Sequence, residues 1–294
     1  MLNLGTEKTE LKPENNKLYY DTLVLSGASI KGFVTLGAVQ YAYDNYLLNN
    51  LTTYIGTSSG SIICYLLSIG YTPTEIIVYV CTNQVMEKMQ NFNIVAMIQN
   101  RGACSYNTIQ EQLEKMTIAK IGYLPTLNDL KQNYNKNLIC VTHNLTEERT
   151  EYLSWETHPN LPCITAIRMS SNLPLIFETF NYNKCMYVDG AISDNFAIDI
   201  AAEKGNNILG IILKTDSNSF SKDPDVGILE FIYKLMLVPI EQSVDYKVRK
   251  KADKCNVICI EHKNDVKFFD FNISSKVKLE MFSDGYAIMK EKIN

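Results

Sequence analysis

The chain has 294 residues, of which 46% are hydrophobic and 20% are charged, and its formal net charge is −4. These values fit a globular protein with a sizeable core, and they argue against a dedicated nucleic-acid binder, which would carry a broad basic excess. No apolar run reaches the roughly 20 residues of a membrane span, and the polar first residues do not resemble a signal peptide. We therefore expect a cytoplasmic protein in which residues 1–20 form a flexible arm.

The first elements after the arm alternate between strand and helix. An apolar run predicts a buried strand at 22–26, and a helix with an amphipathic pattern follows over about 32–47. A second strand at 51–56 leads into a helix at 61–69, which Gly70 closes. Strand, helix, strand and helix within so short a stretch are typical of a parallel sheet.

The alternation continues along the rest of the chain. A helix begins after Thr72, where Pro73 and Glu75 complete a capping box. The later predicted strands are 137–145, 150–155, 185–190, 207–214 and 256–260. The later predicted helices are 107–116, 126–134, 162–171, one near 225–249 and one at the end of the chain. The sequence thus predicts an α/β fold, with a mostly parallel central sheet flanked by helices and a single domain over 21–294.

The segment "YIGTSSGSII" places Ser58 between Gly56 and Gly60 in a G-x-S-x-G frame. A nucleophilic serine of this kind needs a sharp turn between a strand and a helix, with small neighbours that let the backbone pack. The predicted strand and helix stand on the two sides of the motif. A simple glycine-rich turn is the alternative interpretation.

A serine nucleophile needs a base, and two kinds are available in the sequence. One is a triad of Ser58, Asp189 and His262 in the chain order of α/β-hydrolases, although His262 lies in a charged stretch typical of a solvated histidine. The other is the Asp189 carboxylate alone, at the end of the strand in "YVDGAISDNFAI". An Asp-Gly turn without catalytic meaning would give the same letters.

The loop "LSGASIKG" at 25–32 follows the first strand and can supply backbone N–H groups to an oxyanion. It is not a phosphate-binding loop, because Lys31 is followed by Gly32 and not by Ser or Thr. The cysteines and histidines show no metal-ligand spacing. We therefore expect no metal and no cofactor.

Taken together, the segments "LVLSGASIKGFVTLGAV", "IGTSSGSII" and "YVDGAISDNFAI" resemble the motifs of the patatin-like phospholipase family. The segment "AIRMSSNLPLIF" at 166–177 resembles the Ser-rich stretch that precedes the family's catalytic aspartate. The resemblance covers about residues 20–215. Residues 216–294 carry no recognisable motif, and we expect them to form a C-terminal helical extension.

The resemblance implies a three-layer patatin-like fold and a Ser-Asp dyad that works without histidine. By position, Ser58 resembles the nucleophile, Asp189 the base, and Gly27, Ala28 and Ser29 the oxyanion loop. The remaining matched positions are Gly56, Gly60, Lys31, Gly32, Gly190 and Ala191. The family usually has three glycines where this chain has Gly-Ala-Ser. If the second or third position needs a positive φ, the replacement costs on the order of 1 kcal/mol.

The function that the resemblance implies is a lipid acyl hydrolase of the phospholipase A type, acting on phospholipid or another acyl lipid through a Ser58 acyl-enzyme. An α/β-hydrolase esterase, a catalytically weak lipid-binding protein and a transacylase are the alternatives. Peripheral contact with a membrane is a further expectation. It rests on an apolar helix followed by a basic cluster: Lys247, Arg249, Lys250, Lys251 and Lys254. A core helix with solvated lysines at its end is the simpler interpretation.

Overall fold

The structure is a computed structural model, and it describes residues 19–83, 97, 99, 101–214, 227–263, 266, 270 and 272–293. Most of the predicted arm at 1–20 lies outside the described residues. So does the beginning of the predicted C-terminal extension, at 216–226.

The described strands and helices alternate through most of the chain. The strands are β1 Thr22–Leu25, β2 Thr53–Thr57, β3 Gly102–Cys104, β4 Asn137–Asn144, β5 Arg149–Leu153, β6 Leu175–Phe177, β7 Phe180–Tyr182, β8 Cys185–Asp189, β9 Ile208–Lys214 and β10 Cys255–Glu261. The helices are α1 Gly32–Asp44, α2 Ser59–Ser68, α3 Pro73–Asn83, α4 Asn107–Ile121, α5 Leu127–Tyr134, α6 Cys163–Ser170, α7 Ala191–Asp194, α8 Ile198–Lys204, α9 Ile228–Lys250 and α10 Ser275–Ile293. A 3₁₀ turn, Ser29–Lys31, precedes α1.

The central sheet has the strand order β10-β9-β1-β2-β4-β8-β7, with β5 paired to β4. The five strands from β10 to β4 run parallel, whereas β5, β8 and β7 pair antiparallel with their neighbours. The remaining strands, β3 and β6, form a separate small sheet. The predicted α/β architecture with a mostly parallel sheet is therefore confirmed.

Each face of the sheet is covered by its own core of apolar side chains. Leu23 and Leu25 of β1 pack with side chains of α1, α2 and α10, whereas Val24 packs with side chains of α8 and α9. This alternation is the two-residue period of a strand that is buried on both faces. It explains why β1 is buried along its whole length, and it produces three layers: helices, sheet and helices.

The boundaries of several helices follow the sequence signals, but α1 differs from its predicted pattern. Thr72 and Glu75 exchange side-chain and backbone hydrogen bonds at the start of α3, as predicted. Helix α1 ends at Asp44 and is buried on nearly all sides, so it is not amphipathic. The reason is that α10 covers the side of α1 that faces away from the sheet. A Cβ atom at Gly37 would lie 1.8 Å from the carbonyl oxygen of Phe282 on α10.

The segment after residue 226 contributes a strand as well as helices. Strand β10 pairs with β9 over seven residues, from Cys255 opposite Ile208 onward. Helix α10 crosses α1 at Gly285, where a Cβ atom would lie 1.9 Å from the carbonyl oxygen of Val34.

None of the described helices is by itself long and apolar enough to cross a membrane. The bent pair of α2 and α3, at 118° to each other, meets that test jointly by length and composition.

Candidate active site

Two strand ends meet beside β4, and the two residues that the motifs single out lie there. Strand β2 runs parallel to β4 and ends with Thr57 opposite Val141. Strand β8 runs the other way and ends with Asp189 opposite Thr142, the next residue of β4. Ser58 follows Thr57 directly. The sheet register therefore brings the carboxyl ends of β2 and β8 together.

Ser58 occupies the sharp turn between β2 and α2. Its backbone has φ 55° and ψ −125°, a conformation that costs free energy in any residue with a Cβ atom. Strained conformations of this kind cluster at functional sites. The glycines beside it permit close packing. A Cβ atom at Gly56 would lie 2.4 Å from the backbone nitrogen of Ser61, and one at Gly60 would lie 2.4 Å from the carbonyl oxygen of Leu25.

The Ser58 hydroxyl donates a hydrogen bond of 2.5 Å to Oδ2 of Asp189. The other carboxylate oxygen, Oδ1, accepts the backbone N–H of Ala191 at 2.8 Å. Asp189 is fully buried. Burial raises the pKa of Asp189 to about 7, and the hydrogen bonds from Ser58 and Ala191 lower it by less. A carboxyl group with this pKa is partly ionised near neutral pH.

The Ser-rich segment that begins at the last residue of α6 supports both residues. The Oγ atom of Ser170 accepts the backbone N–H of Ser58 at 3.1 Å, and the carbonyl oxygen of Asn172 accepts the backbone N–H of Asp189 at 3.0 Å. Gly190 packs so tightly against β4 that a Cβ atom there would lie 2.2 Å from the carbonyl oxygen of Val141. The sequence resemblance flagged this segment but did not indicate which atoms it would hold.

The glycine-rich loop lies next to Ser58, but two of its amides already have acceptors. The N–H of Gly27 donates to Oδ1 of Asn195 at 3.0 Å, and the N–H of Ala28 donates to Oγ of Ser59 at 3.0 Å. Sequence reasoning singled out neither Asn195 nor Ser59. Their positions within "SDNFAI" and directly after Ser58 were the available signals.

The backbone of this loop shows which of the two positions without the family's glycine is strained. Ala28 has φ −145°, which an alanine adopts without strain, whereas Ser29 has φ 47° in the left-handed region. The conformational cost that we expected at Ala28 or Ser29, the second and third positions of the loop, therefore falls on Ser29. Lys31 is buried at the end of the loop, and Gly32 begins α1 close to Ser59.

A cavity beside the glycine-rich loop has Ser58 among its lining residues. Its polar lining consists of the loop residues Gly27, Ala28, Ser29 and Lys31, together with Asn195 and Lys214. Its apolar lining includes four larger side chains, Leu173, Leu213, Leu237 and Ile240. The last two of the four apolar residues belong to α9. The arrangement places the Ser58 hydroxyl, the Asp189 carboxylate and the glycine-rich loop together beside this pocket.

His262 does not belong to this site. Strands β9 and β1 separate β10 from β2, which places the two strands about 14 Å apart at the usual spacing of a sheet. The His262 side chain is buried and its Nε2 lies 2.9 Å from Oδ2 of Asp284. The expectation of a solvated histidine is therefore wrong. Within the part of the chain that the structure describes, no group of three or more His, Cys, Asp or Glu side chains could hold a metal ion.

The fold and the ordered motifs are those of a patatin-like hydrolase. The chain belongs to the patatin-like phospholipase family, whose model matches residues 23–202. The family resemblance read from the motifs is thus confirmed.

Two viral proteins are similar to the chain in sequence. The probable lipid hydrolase 463L of Invertebrate iridescent virus 6 is 35% identical over 199 residues, 67% of this chain and 67% of the viral protein. The uncharacterized protein R571 of Acanthamoeba polyphaga mimivirus is 28% identical over 280 residues, 92% of this chain and 93% of that protein. The first similarity supports a lipid hydrolase and the second extends through the C-terminal segment.

Among solved structures, VipD from Legionella pneumophila has a similar fold. The superposition has a TM-score of 0.50 at 15% identity and covers 92% of this chain. The chain spans 66% of the length of VipD. At this identity the similarity concerns the fold alone.

Proposed function

We propose that the protein is a lipid acyl hydrolase of the phospholipase A type, with Ser58 as nucleophile and Asp189 as base. The observation that carries the proposal is the 2.5 Å hydrogen bond from the Ser58 hydroxyl to a buried Asp189 carboxylate. A buried carboxylate whose pKa is raised to about 7 is a better proton acceptor than an exposed one. Family membership supports the substrate class.

The proposed reaction has two half-reactions. Ser58 Oγ attacks the ester carbonyl carbon while its proton passes to Asp189 Oδ2. The tetrahedral intermediate then expels the alcohol, which takes the proton from Asp189, and leaves an acyl-serine. Water attacks the carbonyl carbon of the acyl-serine while one of its protons passes to Asp189 Oδ2. The fatty acid leaves, and the proton returns to Ser58.

The oxyanion of each intermediate needs N–H donors, and the nearest are those of Gly27 and Ala28. Both amides donate to side-chain oxygens in the resting site, so the substrate oxygen must replace Asn195 Oδ1 and Ser59 Oγ as acceptor. Because charge-assisted hydrogen bonds are stronger than neutral ones, a developing oxyanion competes better than a ground-state carbonyl. This exchange favours the transition state over the substrate.

The acyl chain is proposed to contact the apolar lining of the cavity. Leu173, Leu213, Leu237 and Ile240 belong to this lining and offer no charged group to an alkyl chain. Lys31 belongs to the polar lining, where an anionic or polar part of the lipid would stand.

Fatty-acid release from phosphatidylcholine vesicles tests the proposal. Wild-type protein is expected to release fatty acid and lysophospholipid, and Ser58→Ala to release neither. Ser105→Ala is the matched control, because Ser105 is an exposed serine outside the cavity, and it should match the wild type. Release by Ser58→Ala at the wild-type rate would overturn the proposal. Acylation of an added alcohol instead of water would make the protein a transacylase.

A catalytically weak lipid-binding protein is the second candidate. Two observations favour it. The N–H groups of Gly27 and Ala28 already donate to side-chain oxygens, and Ala28 and Ser29 stand in place of glycines. This candidate predicts vesicle binding by the wild type without release of fatty acid.

A further inference from the structure

Helix α9 has apolar side chains on two opposite faces. Its inner face carries Tyr233, Ile240 and Val244, which are buried against the rest of the protein. Its outer face carries what we call the outer stripe: Ile228, Phe231, Leu235 and Val238. Their exposed fractions are 66%, 49%, 57% and 55%. Spacings of three and four residues place these side chains on one side of a helix.

We propose that the outer stripe docks the protein on a lipid bilayer, with α9 lying along the membrane surface. Four large apolar side chains in a row are unfavourable in water, and a contiguous exposed patch of this kind marks an interaction site. A helix with such a face enters the boundary between headgroups and acyl chains.

The charges at the end of α9 fit an anionic membrane surface. From Arg249 to Lys254 the chain has four basic side chains against one acidic side chain, Asp253, and all five are exposed. Tyr246, 59% exposed, lies between the stripe and this basic end. Lys247 is not part of the charged surface, which corrects the sequence-based cluster. Its Nζ lies 2.8 Å from Asp194 and 2.7 Å from Asp199.

The stripe and the cavity share one helix. Leu237 and Ile240 line the cavity together with Ser58, whereas Leu235 and Val238 lie within the same turns on the outer face. A docked α9 would therefore hold the cavity within about one helix diameter, roughly 10 Å, of the lipid. The choice of a lipid partner rests on the proposed function, and the face of α9 that meets the lipid is the new element.

Vesicle co-sedimentation tests the docking surface independently of hydrolysis when every protein carries Ser58→Ala. In that background, Phe231→Gln with Leu235→Gln is expected to lower partition onto phosphatidylcholine–phosphatidylserine vesicles at least about tenfold, because two apolar insertions are lost. The matched control is Ile118→Gln with Leu279→Gln. These residues are 52% and 47% exposed and belong to α4 and α10, whose buried residues join the core on the other face of the sheet. The control should bind like its parent.

A charge variant tests the basic end. Lys250→Glu with Lys251→Glu should weaken binding to vesicles that contain phosphatidylserine and leave binding to pure phosphatidylcholine vesicles unchanged. Unfolding midpoints equal to that of the parent would show that each variant is folded.

Two results would overturn the proposal. One is equal vesicle partition of the stripe variant and its control. The other is a wild-type protein that is a dimer by light scattering and a stripe variant that is a monomer, with equal vesicle binding by the two proteins. That result would assign the outer stripe to a second copy of the chain. Vesicle binding that depends on the stripe, in a protein that releases no fatty acid, would support docking while rejecting hydrolysis.

Discussion

Ser58 and Asp189 are 131 residues apart in the sequence, and their side chains share a hydrogen bond of 2.5 Å. The sheet register accounts for this proximity, because the strands that precede the two residues end opposite neighbouring residues of β4, Val141 and Thr142. One strand is parallel to β4 and the other antiparallel, so their carboxyl ends point at each other. The two side chains therefore contact each other directly, as the proposed dyad requires.

The pH dependence of hydrolysis should follow the ionisation of Asp189. Its carboxyl accepts a proton only when ionised, and burial raises its pKa to about 7. We expect kcat/KM on a soluble ester to rise with pH through about 7 and then level off, measured between about pH 5 and 9. A profile that is flat across this range would argue against Asp189 as the base.

The same ionisation should make stability depend on pH. Folding raises the pKa of Asp189 from 3.8 to about 7, so the native state holds a proton that the unfolded chain releases between these values. The associated stabilisation is complete below about pH 4 and is lost as the pH rises through about 7.

Asp189→Asn removes this ionisation. As the pH rises from about 4 to about 7, the wild type loses free energy of unfolding and the variant does not. The difference between them should therefore grow in favour of the variant by up to about 4 kcal/mol. Denaturant unfolding at several pH values measures the difference. Asp253→Asn, at an exposed position, should follow the wild type throughout. A constant gap between Asp189→Asn and the wild type would contradict the assignment.

The backbone of the glycine-rich loop predicts opposite effects for two neighbouring substitutions. Ser29 has φ 47°, so Ser29→Gly should stabilise the protein by about 1 kcal/mol. Ala28 has φ −145°, so Ala28→Gly should destabilise it by about 0.5–1 kcal/mol, because it only adds freedom to the unfolded chain. Thermal unfolding of both variants measures the signs. Stabilisation by Ala28→Gly but not by Ser29→Gly would mean that the loop has another conformation.

The contact between α1 and α10 predicts that the C-terminal segment unfolds together with the rest of the protein, as one domain would. Gly285→Ala would bring a methyl group within 1.9 Å of the Val34 carbonyl oxygen, so we expect a loss of at least about 2 kcal/mol in a single unfolding transition. Gly227→Ala is the control, since among the described residues no atom beyond its chain neighbours lies within 4 Å of an added Cβ. Two separate transitions in the wild type would instead indicate that α10 folds on its own.

Much of the fold could be predicted because the main strands are apolar runs bounded by glycine or by helix caps. Strands β3, β6 and β7 could not, because each has three residues and leaves no room for a periodic pattern. The proximity of Ser58 and Asp189 could be predicted because the family motifs place each residue at the end of a strand. Their chemical roles remain predictions.

The parts of the site that the sequence did not reveal depend on contacts between distant segments. The hydrogen bond from Gly27 to Asn195 spans 168 residues, and no local pattern indicates it. Likewise, the buried side chain of His262 pairs with Asp284 of α10, a contact that the charged stretch around His262 does not indicate. The outer stripe of α9 has the spacing of a core face, so the sequence alone could not tell it from the inner face.

Labelling with a fluorophosphonate, followed by mass-spectrometric mapping, tests the central claim most directly. The reagent should modify Ser58 in the wild type and in His262→Ala at equal rates, whereas Asp189→Asn should react at least about a hundredfold more slowly. Ser58→Ala should not be labelled. Label on another serine, or labelling that survives Asp189→Asn and is lost in His262→Ala, would contradict the Ser58–Asp189 dyad.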